Sequence, residues 1–122
     1  MVIIDTNVIL RYALNDHPEL SPKAKEIFLN NDILILTEVA AEAIYVLNGV
    51  YKFSRKEIAD ELLVIFSMDN IYLEDEQMLF CAIDEYAATN LDFVDTFLYA
   101  QHKYSGKEVL TFDSKLKAKL NE

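Results

Sequence analysis

Four acidic residues stand at positions where a chain of alternating strands and helices would gather them: Asp5, Glu42, Asp95 and Asp113. Asp5 and Asp113 each come directly after a predicted strand. Glu42 falls in the second turn of a predicted helix, and Asp95 falls in the first turn of another. Because ligands collect beyond the carboxyl ends of parallel strands, we expect the four carboxylates to converge at one edge of a sheet.

Carboxylates held close together repel one another and raise one another's pKa, so such a cluster needs a cation to stay ionised at neutral pH. The set offers oxygen ligands alone, with no His or Cys at ligand spacing, which indicates Mg²⁺ or Mn²⁺ and not zinc. A hard cation of this kind activates water and shields charge on a phosphoryl group. The predicted chemistry is therefore hydrolysis of a phosphodiester bond.

Each acid also has a purely structural interpretation. Asp5 and Asp113 suit helix N-caps, Asp95 would answer Asp92 in a capping box, and Glu42 would be a solvated residue one turn after Glu38. Two sequence settings favour a site instead. Asp5 follows an entirely apolar run, and Glu42 is embedded in the apolar stretch 40–47, where an unpaired charge is unfavourable.

The elements that position these residues are predicted from hydrophobic periodicity and capping signals. The predicted strands are Val2–Ile4, Ile33–Leu36, Ile71–Leu73 and Glu108–Phe112. The predicted helices run over Thr6–Leu14, from Ser21-Pro22 to Asn30-Asn31 with Ser21 as N-cap, to about Gly49 with Thr37 as N-cap, from a Ser54/Glu57 capping box to Phe66, through the stripe from Met78 to Ala87, from Asp92 to Gly106, and from Asp113 to Leu120.

Strands that alternate with helices predict an α/β fold, a three-layer sandwich with a short parallel sheet and helices on both faces. The run Val2–Ile4 does not alternate with polar residues, which predicts a central strand covered on both faces. We place Ile33–Leu36 on one side of it and Glu108–Thr111 on the other. Residues 1–122 are expected to form one domain.

Composition excludes several other classes of protein. The single cysteine, Cys81, makes a disulfide or a zinc site improbable. No apolar run is long enough to cross a membrane, and Met1 leads straight into an apolar strand, so a cytoplasmic protein is expected. The formal net charge of -10 disfavours nucleic-acid binding at face value. Five of the eleven basic residues lie in the last twenty positions, where the simplest interpretation is a solvated helix face.

Four motifs carry a resemblance to a known family: Ile3-Ile4-Asp5-Thr6-Asn7, the helix from Glu38 to Leu47, Leu91-Asp92-Phe93-Val94-Asp95, and Leu110-Thr111-Phe112-Asp113. In their order and spacing they resemble a PIN domain. More narrowly, the sequence looks like the toxin ribonucleases of the VapC type. The likeness runs from the first residue to about Leu120.

The resemblance implies that the four acids bind Mg²⁺ or Mn²⁺ and cleave RNA. It implies that Asn7 and Thr111 hold those ligands by hydrogen bonds. Asp92 matches a position that is sometimes acidic in the family, and we favour a capping role for it. It also implies an antitoxin that inserts Arg or Lys at the acidic rim, and a homodimer, which we expect to use apolar helix faces between Thr37 and Met68.

Family members usually continue into a fifth strand, so four strands are expected here, with a fifth left open. Two other functions also remain open. One is a phosphohydrolase in which Asp5 forms an aspartyl-phosphate. The other is a non-catalytic binding module that keeps the PIN fold. The RNA target and the number of metal ions are open as well.

Overall fold

The computed structural model describes all 122 residues and divides them into two compact units, 1–74 and 75–122. The first unit contains β1 (Val2–Ile3), α1 (Thr6–Leu14), α2 (Leu20–Asn30), β2 (Ile33–Ile35), α3 (Thr37–Gly49), α4 (Arg55–Phe66) and β3 (Ile71–Leu73). The second contains α5 (Glu76–Ala88), α6 (Phe93–Ser105) and α7 (Ser114–Leu120). The single domain stays a prediction.

The sheet has three parallel strands in the order β1-β2-β3. Val2 lies opposite Ile33, which lies opposite Ile71 on the other side. The central strand is therefore β2, and its side chains Ile33 and Ile35 are fully buried. The prediction that the Val2–Ile4 strand is central and covered on both faces is wrong, since β1 is an edge strand and Ile3 is 62% exposed.

The four- or five-stranded sheet is also wrong, because residues 108–112 form no strand. The side chains of Leu110 and Phe112 are 85% and 103% exposed. The sequence Glu-Val-Leu-Thr-Phe has strong strand propensity, but a strand needs a neighbour with which to share a hydrogen-bonded ladder. Strong strand propensity in this segment is therefore not enough to place it in the sheet.

The helices agree better with the sequence. α1 begins where Asp5 accepts a hydrogen bond from the backbone N–H of Val8 at 3.1 Å, and it ends at Asn15 in a left-handed conformation. α4 begins with the predicted capping box, in which Ser54 and Glu57 bond reciprocally. No helix is long and apolar enough to span a membrane.

Two predicted caps differ from the structure. α2 begins at Leu20, so Ser21 lies inside the helix, and Nδ1 of His17 accepts from the backbone N–H groups of Glu19 and Leu20. Thr37 is the first residue of α3 and not its cap. The backbone N–H of Thr37 donates to the carboxylate of Glu74 at 3.0 Å. Glu74 is 37 residues away in the sequence, so no local motif could indicate this contact.

Specific contacts between neighbouring elements reinforce the apolar core of the first unit. The rings of Tyr12 on α1 and Phe28 on α2 stack with centroids 4.0 Å apart. The amide of Asn70 donates to the carbonyl oxygens of Phe28 and Asn31, at 2.6 and 2.8 Å, which ties the end of α2 to the start of β3. Such bonds satisfy carbonyl groups that a helix terminus leaves unpaired.

In the second unit, α5 and α6 pack around buried Leu79, Ile83 and Phe93, and α7 contributes the buried Leu116. The ammonium of Lys119 on α7 lies 2.7 Å from a carboxylate oxygen of Glu85 on α5. Hydrogen bonding to Glu85 raises the pKa of Lys119. This contact fixes the position of α7 against the other two helices.

We expect Ser54→Ala to lower the free energy of unfolding by about 1 kcal/mol, because one N-terminal amide of α4 loses its acceptor. Hydrogen bonds from Ser54 lower the pKa of Glu57. The stabilisation by Glu57 is therefore present above the ordinary pKa of a glutamate and is lost as pH falls through the lowered value. Urea denaturation at pH 7 and pH 3 measures both effects.

The matched control is Ser67→Ala, at the exposed C-cap of the same helix. It should change the urea midpoint by less than half as much. Equal midpoint shifts in the two variants would contradict the capping interpretation.

Candidate active site

Because the three strands are parallel, their carboxyl ends lie at one edge of the sheet, and three polar residues follow them. Asp5 follows β1, Thr37 follows β2 after one residue, and Glu74 follows β3. The carboxylate of Glu74 accepts from the backbone N–H of Thr37 at 3.0 Å. This bond fixes the start of α3, the helix that carries Glu42, at the edge where Asp5 lies.

Glu74 was missed by the sequence analysis, although a signal for it exists. It directly follows an apolar strand, as Asp5 does. Its carboxylate accepts a hydrogen bond from the first backbone N–H of α3, which is 37 residues away in the sequence. The helix dipole also favours a carboxylate at that position.

Asp5 and Glu42 are both exposed. The argument that Glu42 is an unpaired charge in apolar surroundings is therefore wrong, because its neighbours Ala43 and Ile44 are buried while Glu42 faces water. The periodicity of α3 explains this result, since an apolar stretch still presents one face to solvent. Asn7 is exposed in the first turn of α1.

In the second unit, two carboxylates lie near enough to Asp95 for their negative charges to act on it. Asp92 and Asp95 lie at the N-cap and in the first turn of α6, and Asp113 lies at the N-cap of α7. Partial burial is the main cause of a raised pKa at Asp95, and the negative charges of Asp113 and Asp92 raise it further. The ionised form of Asp95 is therefore disfavoured by its surroundings.

Asp113 is held by two hydrogen bonds. One of its carboxylate oxygens accepts from the backbone N–H of Leu116 at 3.2 Å, which caps α7, and its own N–H donates to the hydroxyl of Thr111 at 3.0 Å. The structural interpretation of Asp113 as an N-cap is thus confirmed. The cap uses one carboxylate oxygen and leaves the other available, so capping and ligand binding are compatible.

Asp92 occupies the predicted N-cap position of α6, but its side chain makes no capping hydrogen bond. The capping box that would join Asp92 to Asp95 is therefore wrong. The hydroxyl of Thr96, fully buried in the next turn, donates to the carbonyl oxygen of Phe93 at 2.8 Å. Both carboxylates of this turn are left free of local caps.

The residues of the second unit suit a divalent cation by their chemistry, because Asp92, Asp95 and Asp113 offer oxygen atoms only. No group of three or more acidic, His or Cys side chains is positioned to hold a metal ion. Asp5 and Glu42 belong to the first unit, and Asp95 and Asp113 belong to the second. The convergence of all four on one cation stays a prediction.

Comparison with protein-family models gives one match, to the PIN domain, over residues 2–119. The chain belongs to the PIN-domain family, which is a family of nucleases. Comparisons with curated proteins and with solved structures give no significant match. The family match covers nearly the whole chain, so the assignment does not depend on one short motif.

We expect Asp113→Asn to lower the pKa of Asp95, because the substitution removes a negative charge and keeps a good N-cap residue. The measurement is a carboxyl NMR titration in EDTA. The control is Asp84→Asn, which removes an exposed charge on α5. An unchanged titration of Asp95 in the Asp113→Asn protein would show that the two carboxylates do not interact.

The raised pKa of Asp95 has a defined effect on stability. The folded chain binds this proton more tightly than the unfolded chain, so stability falls as pH rises from the ordinary pKa of aspartate through the raised value. The destabilisation is complete once pH exceeds the raised pKa. In EDTA, Asp95→Asn should therefore raise the urea midpoint at pH 7 and lose that advantage at pH 3.

Proposed function

We propose that the chain is a metal-dependent endoribonuclease that hydrolyses RNA phosphodiester bonds, with Asp5, Glu42, Asp95 and Asp113 as its acids. The observation that carries the proposal is that partial burial and the negative charges of Asp113 and Asp92 raise the pKa of Asp95 in a member of a nuclease family. This placement disfavours the ionised form of Asp95. A cation that binds there relieves the repulsion.

The residues have distinct roles in this mechanism. Asp5, Glu42, Asp95 and Asp113 are the proposed ligands of Mg²⁺ or Mn²⁺, and the cation would activate water and neutralise charge on the phosphate. Thr111 fixes the backbone of Asp113 by a hydrogen bond. Glu74 fixes the start of α3, which carries Glu42. Asn7, at the exposed start of α1, would orient the carboxylate of Asp5 or a bound water.

We expect Asp5→Asn and Asp95→Asn each to lower Mn²⁺-dependent cleavage of RNA by more than about 100-fold, which exceeds the usual effect of a residue that only supports a ligand. Asn caps a helix as well as Asp does, so α1 should keep its stability in Asp5→Asn. The assay compares initial rates on single-stranded RNA with Mg²⁺, with Mn²⁺ and with EDTA. Asp84→Asn is the control and should cleave normally.

The same assay separates the alternatives. Cleavage of a phosphomonoester with no cleavage of RNA, lost in Asp5→Asn, would favour the aspartyl-phosphate mechanism. No cleavage of either substrate, together with no effect of Mn²⁺ on thermal stability, would favour a non-catalytic binding module.

We also propose that the nuclease is the toxin of a toxin–antitoxin pair. Its partner, encoded by a neighbouring gene, would place Arg or Lys against the carboxylates, where a guanidinium can bind two oxygens at once. A chain with a net charge of -10 favours such a basic partner. A homodimer is part of this proposal, and exposed Tyr45 on α3 and Val64 on α4 support it.

Expression of the chain alone should arrest growth, and co-expression with the product of the adjacent gene should restore growth and yield a stable complex. Light scattering on the purified chain and on the complex gives the two masses. Normal growth in both cases, with no complex, would refute the toxin proposal and leave the nuclease proposal standing. A monomeric mass for the free chain would refute the homodimer.

A further inference from the structure

The connection between β2 and α3 leaves no room for an ordinary helix cap. β2 ends at Ile35 and α3 begins at Thr37, so Leu36 alone joins them and occupies the N-cap position. The side chain of Leu36 is apolar and makes no capping hydrogen bond. The first backbone N–H groups of a helix have no partner within the helix, so an acceptor for α3 has to come from water or from another part of the chain.

The register of the sheet brings such an acceptor to the start of α3. Ile35, the last residue of β2, lies opposite Leu73, the last residue of β3. Glu74 follows directly, and its Oε1 atom accepts from the backbone N–H of Thr37 at 3.0 Å. Ile33 and Ile35 are fully buried, so the pairing that sets this register lies in the core. The cap of α3 is therefore supplied by the neighbouring strand and not by residues next to the helix.

This hydrogen bond matters for the candidate site because α3 carries Glu42. The buried side chains of Ala40 and Ala43 fix the axis of the helix against the core, and the bond from Glu74 fixes its first turn. Glu42 lies about 7.5 Å along the axis from Thr37 at the usual helical rise. Helical side chains lean toward the helix N-terminus, so the side chain of Glu42 lies over that first turn. A first turn that frays would leave Glu42 less well fixed.

We propose that Glu74 is a positioning residue for Glu42, which it holds at the carboxyl-end edge of the sheet by capping α3. Glu74 acts through the helix and does not itself touch the metal ion. A carboxylate suits this place, because negative charge is favourable at a helix N-terminus. The inference rests on the proposed nuclease function and adds to it a residue that sets the affinity for the cation.

The capping step is tested without metal, by amide hydrogen exchange of the full chain in EDTA followed by NMR. We expect Glu74→Ala to lower the protection factor of the Thr37 amide about 5-fold, the effect of losing one cap. Glu74→Gln keeps an acceptor oxygen and should stay within about 2-fold. The matched control is Glu38→Ala, which removes an exposed carboxylate from the first turn of the same helix and should also stay within about 2-fold. An unchanged protection factor in Glu74→Ala would overturn the proposal.

The effect on the site is tested by Mn²⁺ binding without RNA, measured from the electron paramagnetic resonance signal of the free ion. We expect Glu74→Ala to weaken Mn²⁺ binding about 10-fold, and Glu74→Gln and Glu38→Ala to weaken it less than about 2-fold. Leu36→Ser gives α3 a cap of its own. Added to Glu74→Ala, it should return the affinity to that of the Leu36→Ser single variant. Thermal melts identify any variant that fails to fold.

Three results would count against the positioning role. Weak Mn²⁺ binding in Glu74→Gln that Leu36→Ser does not restore in Glu74→Ala would show that Glu74 contacts the ion itself. Equal losses in Glu74→Ala and Glu38→Ala would show a general effect of charge. Mn²⁺ binding and Mn²⁺-dependent cleavage of RNA that Glu74→Ala leaves unchanged would refute this inference alone. An unchanged chain that neither binds Mn²⁺ nor cuts RNA would instead refute the nuclease function, and this inference with it.

Discussion

The packing of apolar side chains between α5, α6 and α7 is the interaction on which the second unit depends. Asp95 is partly buried and has Asp113 and Asp92 beside it, so its ionised form is unfavourable in the free protein. The ammonium of Lys119 is held by Glu85 and Glu122 at the other end of α7. The fold keeps the strained acid in place by the packing of α5, α6 and α7 around apolar side chains.

The same acidic side chains also begin helices, so structure and chemistry share residues. Asp5 caps α1 with one oxygen, and Asp113 caps α7 with one oxygen. A cap fixes the carboxylate in one orientation and leaves its second oxygen available for another partner. Because the cap already orders the side chain, less side-chain conformational entropy is lost when a ligand binds.

Local signals in the sequence predicted the helices well. The span of α1, the end of α3 and the capping box at α4 follow from residues a few positions apart, and all three were confirmed. Nonlocal pairing was predicted poorly. The edge position of β1 and the contact from Glu74 to Thr37 depend on residues far apart in the chain, and no short-range pattern contains them.

The candidate site shows the same division. The N-cap positions of Asp5 and Asp113 could be predicted, because capping is a local property. The exposure of Glu42 was one of two open interpretations, because the apolar stretch around it does not by itself show which face of α3 turns toward the core. The strain at Asp95 was expected only in general terms, because its size depends on how deeply one side chain is buried and how near two others lie.

The segment 108–112, which is outside the sheet, affects how the protein behaves at high concentration. Leu110 and Phe112 present apolar side chains to water on a backbone with strand-forming sequence, which is the kind of segment through which chains aggregate. Lys107 and Asp113 flank this segment with opposite charges, and charged flanking residues oppose its association with other chains. The net charge of -10 adds repulsion between molecules, so colloidal stability should be greatest in neutral, low-salt solution and poorest in mild acid, where that charge is lost.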